Sequence, residues 1–235
     1  MDEIRHTSRE YERELQEIRD GLLYLGAKTE KSLGLAIKAL LDRDTRLAEE
    51  IIKGDDDIDR LDIELEERCI RLLALRQPAA RDLRFITTAI KITGHLERIG
   101  DMVANIAEKV IILNDFVQLK PYIDLPRMGE ISREMIRNGL DAMVRQDVDL
   151  ATRVRAEDAE IDQLNEQVFR ELVTFMLADP GNIKVSLYIM QISKNLERIA
   201  DHAEGIADMV IYMATGKIIR HEPAPGKNNE KPSLP

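Results

Sequence analysis

The sequence predicts an all-α protein, a tandem duplication of two antiparallel three-helix bundles with pseudo-two-fold symmetry. Three observations carry that expectation. Of 235 residues, 44% are hydrophobic and 33% charged, whereas aromatic residues make up only 4% and Trp is absent, a balance that favours helices over sheets. Apolar residues recur every three or four positions through long runs, the period of helices with one buried stripe. Landmarks of the first half also return in order in the second: Asp44 to Asp147 is 103 residues, Pro78 to Pro180 is 102, and Glu97 to Glu197 is 100.

The first bundle spans residues 1–115. Its first helix runs from about Arg9 to Leu41, with Leu15, Ile18, Leu22, Leu25, Leu33, Ala36 and Leu40 on one stripe, and breaks at Asp42-Arg43-Asp44. The second carries Leu47, Ile51, Ile58, Leu61, Leu65 and Leu72 and stops at Gln77-Pro78, because proline disfavours helix in the residue before it. The third starts near Ala80 and continues through Ile86, Ile90, Leu96, Ile99, Val103, Ile106 and Val110 to about Asn114. Short joints between long helices make neighbours antiparallel.

Residues 116–126, with Pro121 and Pro126, read as a linker, and the scheme then restarts for a second bundle over 127–216. Helix four carries Ile131, Met135, Leu140 and Val144. Helix five carries Leu150, Val154, Ile161, Leu164, Val168 and Leu172 and ends at Asp179-Pro180-Gly181; helix six runs from about Asn182 to Thr215. The tail, 217–235, holds four prolines and few apolar residues and is expected to be flexible.

The net charge of −10 argues against a general affinity for nucleic acid or anionic lipid. The sequence opens without the apolar core of a signal peptide and has no membrane-length apolar run, so a cytoplasmic protein is expected. The single cysteine, Cys69, reads as a small buried apolar residue, and the methionines read as core filler. Glu3-Ile4-Arg5-His6, the only Glu-x-x-His, sits in the N-terminal lead, which argues against a ferritin-like di-iron centre. No Gly-rich phosphate loop, Ser-His-Asp order or Cys-His pair is present, so no catalytic residue and no organic cofactor is assigned.

What remains is a repeated acidic pattern. Leu96-Glu97-Arg98-Ile99-Gly100-Asp101 returns as Leu196-Glu197-Arg198-Ile199-Ala200-Asp201. Each copy sets two carboxylates one helical turn apart, an arrangement that costs an isolated helix about 0.2–0.5 kcal/mol unless a cation or solvent relieves it. The second helix of each half adds its own pair at the same spacing, Asp55 with Asp59 and Asp158 with Asp162. On helix three, Glu97, Asp101 and Glu108 fall within about 40° of one another and Asn105 about 40° further out. Glu197, Asp201, Glu204 and Asp208 form the matching row on helix six. Small residues beside these rows, Gly100, Ala104, Ala200 and Ala207, would let a neighbouring helix approach, so that the acidic rows of adjacent helices surround one or several cations. Carboxylates with an amide suit hard ions such as magnesium, calcium, manganese or iron rather than a structural zinc. The alternative is a pair of solvated faces balanced by Arg98 and Arg198. His95 and His202 are expected to project away from the carboxylates toward solvent, and Arg98 to point outward.

These residues together resemble the PhoU family of phosphate transport accessory and regulatory proteins. The resemblance covers roughly Tyr11 to Gly216. It rests on Gly54-Asp55, the joint Arg76-Gln77-Pro78-Ala79-Ala80-Arg81-Asp82-Leu83-Arg84, both copies of the Glu-Arg-Ile-x-Asp motif, Asn105-Ile106-Ala107-Glu108, Glu157-Asp158 and Ile161-Asp162. It implies multinuclear metal sites. Contacts would fall to Asp55, Asp59, Glu97, Asp101 and Asn105 in the first half and to Asp158, Asp162, Glu197 and Asp201 in the second, with Asp208 further along the same row. Gly205 stands where the first copy has Asn105, which implies a weaker second site. The resemblance also implies a non-enzymatic negative regulator of phosphate uptake and of the phosphate-starvation response. Its partners would be the ATPase subunit of a phosphate ABC transporter and a sensor histidine kinase, and it would form a homodimer. Two other readings stand beside it: a metal-dependent phosphate-ester hydrolase, and a helical scaffold that uses no metal.

Overall fold

The structure, a computed structural model, describes residues 2–219, with side chains from residue 9. Most of the expected tail, residues 220–235, and the side chains of Glu3 and His6 lie outside the described residues. Six long helices follow one another: α1 (Asp2–Asp42), α2 (Thr45–Leu75), α3 (Ala80–Leu113), α4 (Asp124–Arg145), α5 (Val148–Ala178) and α6 (Ile183–Thr215), with a 3-10 turn over Pro180–Asn182 before α6. No described residue is in a strand.

The joint between α1 and α2 is repeated between α4 and α5. Arg43 and Gln146 both take φ 54°, the left-handed conformation. The next backbone N–H turns back in each case, Asp44 to the carbonyl of Ala39 and Asp147 to that of Ala142, both at 3.0 Å. This 6→1 bond closes a helix C-terminus. The same aspartates then cap the next helix, Asp44 accepting from the Leu47 N–H at 3.0 Å and Asp147 from the Leu150 N–H at 2.9 Å. Arg43 also closes the end of α3. Its Nη2 donates to the carbonyls of Leu113 (3.3 Å), Asn114 (2.9 Å) and Phe116 (2.6 Å), groups that the helix leaves without helical partners.

Two helix starts differ from expectation. α4 begins at Asp124, inside the expected linker, because Pro126 lies in the first turn, where a missing N–H costs nothing. α1 reaches back to Asp2 rather than Arg9, since extending a helix that tertiary packing already holds needs no new nucleus.

The apolar stripes face inward as predicted. Leu22, Leu25, Ile58, Leu65, Ile99, Ile106, Ile161 and Ile199 are all buried, as is Cys69, and Met102, Met128, Met135, Met143 and Met213 fill the same core. Val144 is an exception at 43% exposed; Ala142 and Met143 face the core in its place. α3 packs on α1 and α2 within its half, α6 on α4 and α5 within the other, and α3 and α6 pack on each other, with α1 against α4. Glu30 on α1 pairs with Arg133 (3.4 Å) and Arg137 (3.1 Å) of α4 across the same boundary. No described helix is long and apolar enough to cross a membrane.

Candidate metal centres

The first acidic site is made by the approach of α2 to α3. Gly100 permits it: a Cβ there would stand 3.0 Å from Asp55 Oδ1 and 3.0 Å from Ile58 Cγ2. With the helices so close, one carboxylate oxygen from each of Asp55, Asp59 and Asp101 falls within 4.8 Å of the others. Burial, and then the charges of Asp59, Asp101 and Asp56, push the Asp55 carboxyl up from 3.8 to about 6. Glu97 is raised in the same way, by burial first and Asp101 second, with Arg98 opposing; Asp62 is raised by burial, Glu66 and Asp59.

Arg98 does not simply point outward. Its Nη1 lies 3.3 Å from Asp101 Oδ2 and its Nε 3.4 Å from Glu97 Oε2, so the long side chain folds back over the carboxylates while staying largely exposed. An exposed pair of this kind contributes about 0–1 kcal/mol and leaves most of the repulsion in place. Asn105 lies one turn beyond Asp101 and is exposed, and the equally exposed Glu108 pairs with Lys109 at 3.2 Å.

The second site, between α5 and α6, has the same plan with deeper burial. Asp158 is fully buried and groups with Asp201 and Glu204 within 4.8 Å. Asp162 is exposed one turn further along α5. The packing around Asp201, followed by the charges of Glu197, Asp158 and Asp162, raises its carboxyl to about 6 although its tip reaches solvent. Glu197 is held on one side by Lys194, Nζ to Oε1 at 2.5 Å. Its Oε2 is buried and accepts no hydrogen bond among the described residues. Beside the cluster, Asp162, Asn165, Phe169, Ser193 and Lys194 line a groove of about 340 Å³, in which the Ser193 hydroxyl donates to Asn165 Oδ1 at 2.7 Å.

Asp208 stands outside this group of three. Its Oδ1 pairs with Nε of Arg155 at 2.8 Å, and Glu204 Oε1 lies 3.7 Å from the same nitrogen. Arg155 is 6% exposed. Glu204, named in the acidic row but not among the expected contacts, thus joins Asp158 and Asp201, while Asp162 and Asp208 lie outside that group, and Arg155 is a neighbour that the acidic pattern did not reveal. Its signal lies in the repeat. At the 103-residue offset that relates the two joints, Arg155 falls where the first half has Ile52. At the 100-residue offset that relates the two Glu-Arg-Ile-x-Asp motifs, Glu204 falls opposite Ala104.

The histidines are not solvent-facing. His95 Nδ1 and His202 Nδ1 are 3.0 Å apart where α3 meets α6, the rings edge to face with centroids 5.3 Å apart. Burial, then Arg198 and Arg98, lower the pKa of His202. Gly205 belongs to this contact, since a Cβ there would clash with the His95 ring, 2.9 Å from Nε2 and 3.0 Å from Nδ1. The missing amide at position 205 thus has a packing cause.

Both clusters suit a hard divalent cation. Their donors are carboxylate oxygens, a buried oxygen of Glu197 has no hydrogen-bond donor among the described residues, and a cation would offset the burial and repulsion that raise Asp55 and Asp201.

A sequence model of the PhoU domain matches residues 22–110 and again 125–210, one match for each half. The chain is 43% identical over 215 residues to the phosphate-specific transport system accessory protein PhoU homolog of Zymomonas mobilis, covering 92% of this chain and 91% of that one. It is 41% identical over 210 residues to the protein of the same name from Aquifex aeolicus, covering 89% and 95%. Among solved structures, PhoU from Pseudomonas aeruginosa superposes with a TM-score of 0.85 at 38% identity, covering 88% of this chain and 100% of that chain. The phosphate transport system regulatory protein PhoU from Streptococcus pneumoniae does so with 0.81 at 29% identity, covering 88% and 98%. With both repeats matched and relatives aligned along nearly the whole chain, this protein belongs to the PhoU family.

Proposed function

We propose that the protein is a cytoplasmic accessory regulator of phosphate transport. On this reading it acts as a homodimeric, non-enzymatic adaptor between the ATPase subunit of a phosphate ABC transporter and a sensor histidine kinase. It restrains phosphate uptake and the phosphate-starvation response. The observation that carries this reading is kinship along nearly the full chain with proteins named as phosphate-specific transport accessory proteins. The acidic clusters give the adaptor its metal sites. Asp55, Asp59, Glu97 and Asp101 would hold ions in the first half, with Asn105 one helical turn further along α3 as an additional oxygen donor. Asp158, Asp162, Glu197, Asp201 and Glu204 would hold them in the second. A bound hard cation supplies positive charge that neutralises the crowded carboxylates and can present an open position to an oxygen ligand.

The test is a cell lacking the native gene and supplied with the Glu97→Ala/Glu197→Ala variant. Loss of repression of phosphate-starvation genes supports the reading, and full repression at normal protein levels refutes the role of the clusters. Assay of the purified manganese-loaded protein on a phosphate monoester addresses the hydrolase alternative. Turnover abolished by Asp101→Asn would replace the adaptor reading.

A further inference from the structure

The two acidic clusters are not equivalent, and the difference lies in a buried charge. In the second half the Arg155 guanidinium, almost wholly buried, reaches from α5 to α6, with Nε 2.8 Å from Asp208 and 3.7 Å from Glu204. Arg155 precedes Asp158 by three residues and Asp162 by seven, so all three share one face of α5. Glu204 is at once a partner of Arg155 and a member of the Asp158–Asp201–Glu204 group. In the first half, Ile52 and Ala104 occupy the corresponding places, and Glu108 turns to Lys109 instead. The second site thus holds one positive and one negative charge, on facing helices, where the first half has two apolar residues.

Resting on the metal-binding reading above, we infer that Arg155 is the resident cation of the second cluster and sets its specificity, supplying from the protein a charge that the first cluster must take from solution. The guanidinium lies between Glu204 and Asp208 and offsets part of their negative charge, leaving less of it to attract an ion. A buried cation beside the site also repels a divalent ion at low effective dielectric. The first cluster, whose paired cation among the described residues is the exposed Arg98, binds hard divalent ions more tightly. Arg155 touches no proposed ion directly; it is a positioning residue acting through Glu204.

The experiment uses Mn²⁺ as the probe on the full-length, chelator-treated protein. Bound and free Mn²⁺ are followed by electron paramagnetic resonance and unfolding by thermal melts. Wild type is expected to show one tight class of bound Mn²⁺, lost in Asp101→Asn and kept in Asp201→Asn. Arg155→Met is expected to melt lower without metal, to gain a second class bound at least tenfold more tightly than any second class in wild type, and to regain its melting temperature with Mn²⁺. Arg155→Ile/Glu204→Ala, which copies the first half and keeps the net charge, should gain that class even if Arg155→Met folds poorly. Arg155→Lys should behave as wild type. Equal loss from Asp101→Asn and Asp201→Asn, or unchanged Mn²⁺ binding in both Arg155→Met and Arg155→Ile/Glu204→Ala, would overturn the inference while leaving the metal reading standing. No Mn²⁺ bound by any of these proteins would overturn the metal reading and the inference with it.

Discussion

His95 occupies the space that Gly205 leaves by having no side chain, its Nδ1 3.0 Å from where a Cβ would stand. A comparison of the two repeats would place an asparagine at position 205 to match Asn105 and so restore a ligand. The packing forbids it. Gly205→Asn is expected to lower stability by about 1–3 kcal/mol, the cost of overfilling a packed seam, and to bring no gain in metal affinity. Urea denaturation measures the first outcome and Mn²⁺ titration the second; a more stable variant with tighter metal binding would contradict the role given to His95.

Removing one carboxylate from the first cluster should have opposite effects with and without metal. Asp101→Asn relieves the charge on Asp55 and raises the melting temperature of chelator-treated protein slightly. It also removes a ligand. Wild type should gain about 2.7 kcal/mol of stability when free metal is a hundredfold above Kd, and most of that gain should vanish in the variant. A calorimetric scan with and without Mn²⁺ distinguishes these effects.

The pH dependence of the metal-free protein follows from the same crowding. Asp55 and Asp201 titrate near 6 when folded, against an ordinary 3.8. Between those values the folded state holds more protons than the unfolded one. The contribution of these groups to stability is therefore largest below about pH 4 and falls as pH rises through 6. Melting temperatures from pH 5 to 7.5 should decline more steeply in wild type than in Asp55→Asn/Asp201→Asn. Parallel profiles would show that other groups govern the slope.

The repeated joint allows a paired test. Gln146 takes a left-handed conformation that glycine adopts freely, so Gln146→Gly should stabilise the protein by about 0.5–1 kcal/mol. Arg43 has the same φ, but Arg43→Gly also removes the side-chain donor shared by three carbonyls at the end of α3, of which Leu113 keeps the Phe116 N–H, and it should destabilise by about 1–3 kcal/mol. Opposite signs at equivalent positions are the expected result, read from chemical denaturation midpoints.

What could be read from the sequence was what depends on period and local chemistry. The stripes through Ile58, Leu65 and Leu72 and through Ile99, Val103 and Ile106 located the core, and Asp44 and Asp147 marked the joints that they cap. The Asp55–Asp59–Asp101 grouping followed from spacing on two adjacent helices plus the small residue at 100. Contacts across the boundary between halves were not legible, because helical phase alone does not say which face α3 turns toward α6. His95 and His202 were expected in solvent for that reason, although they touch. Arg155 was hidden differently: one arginine among three on a charged helix reads as a surface charge until the repeat is aligned and an isoleucine is found opposite it.

The meeting of α3 and α6 makes the molecule an internal dimer. Each half gives its central helix to the other, and together they enclose one shared interior rather than two. In an ordinary pseudo-symmetric assembly, dilution separates the subunits; here residues 114–123 tether them, so association is unimolecular and independent of protein concentration. The tether also removes the requirement that the halves be identical. One copy can carry Ile52 and the other Arg155, a division of labour that a symmetric homodimer with one sequence in both subunits could not encode.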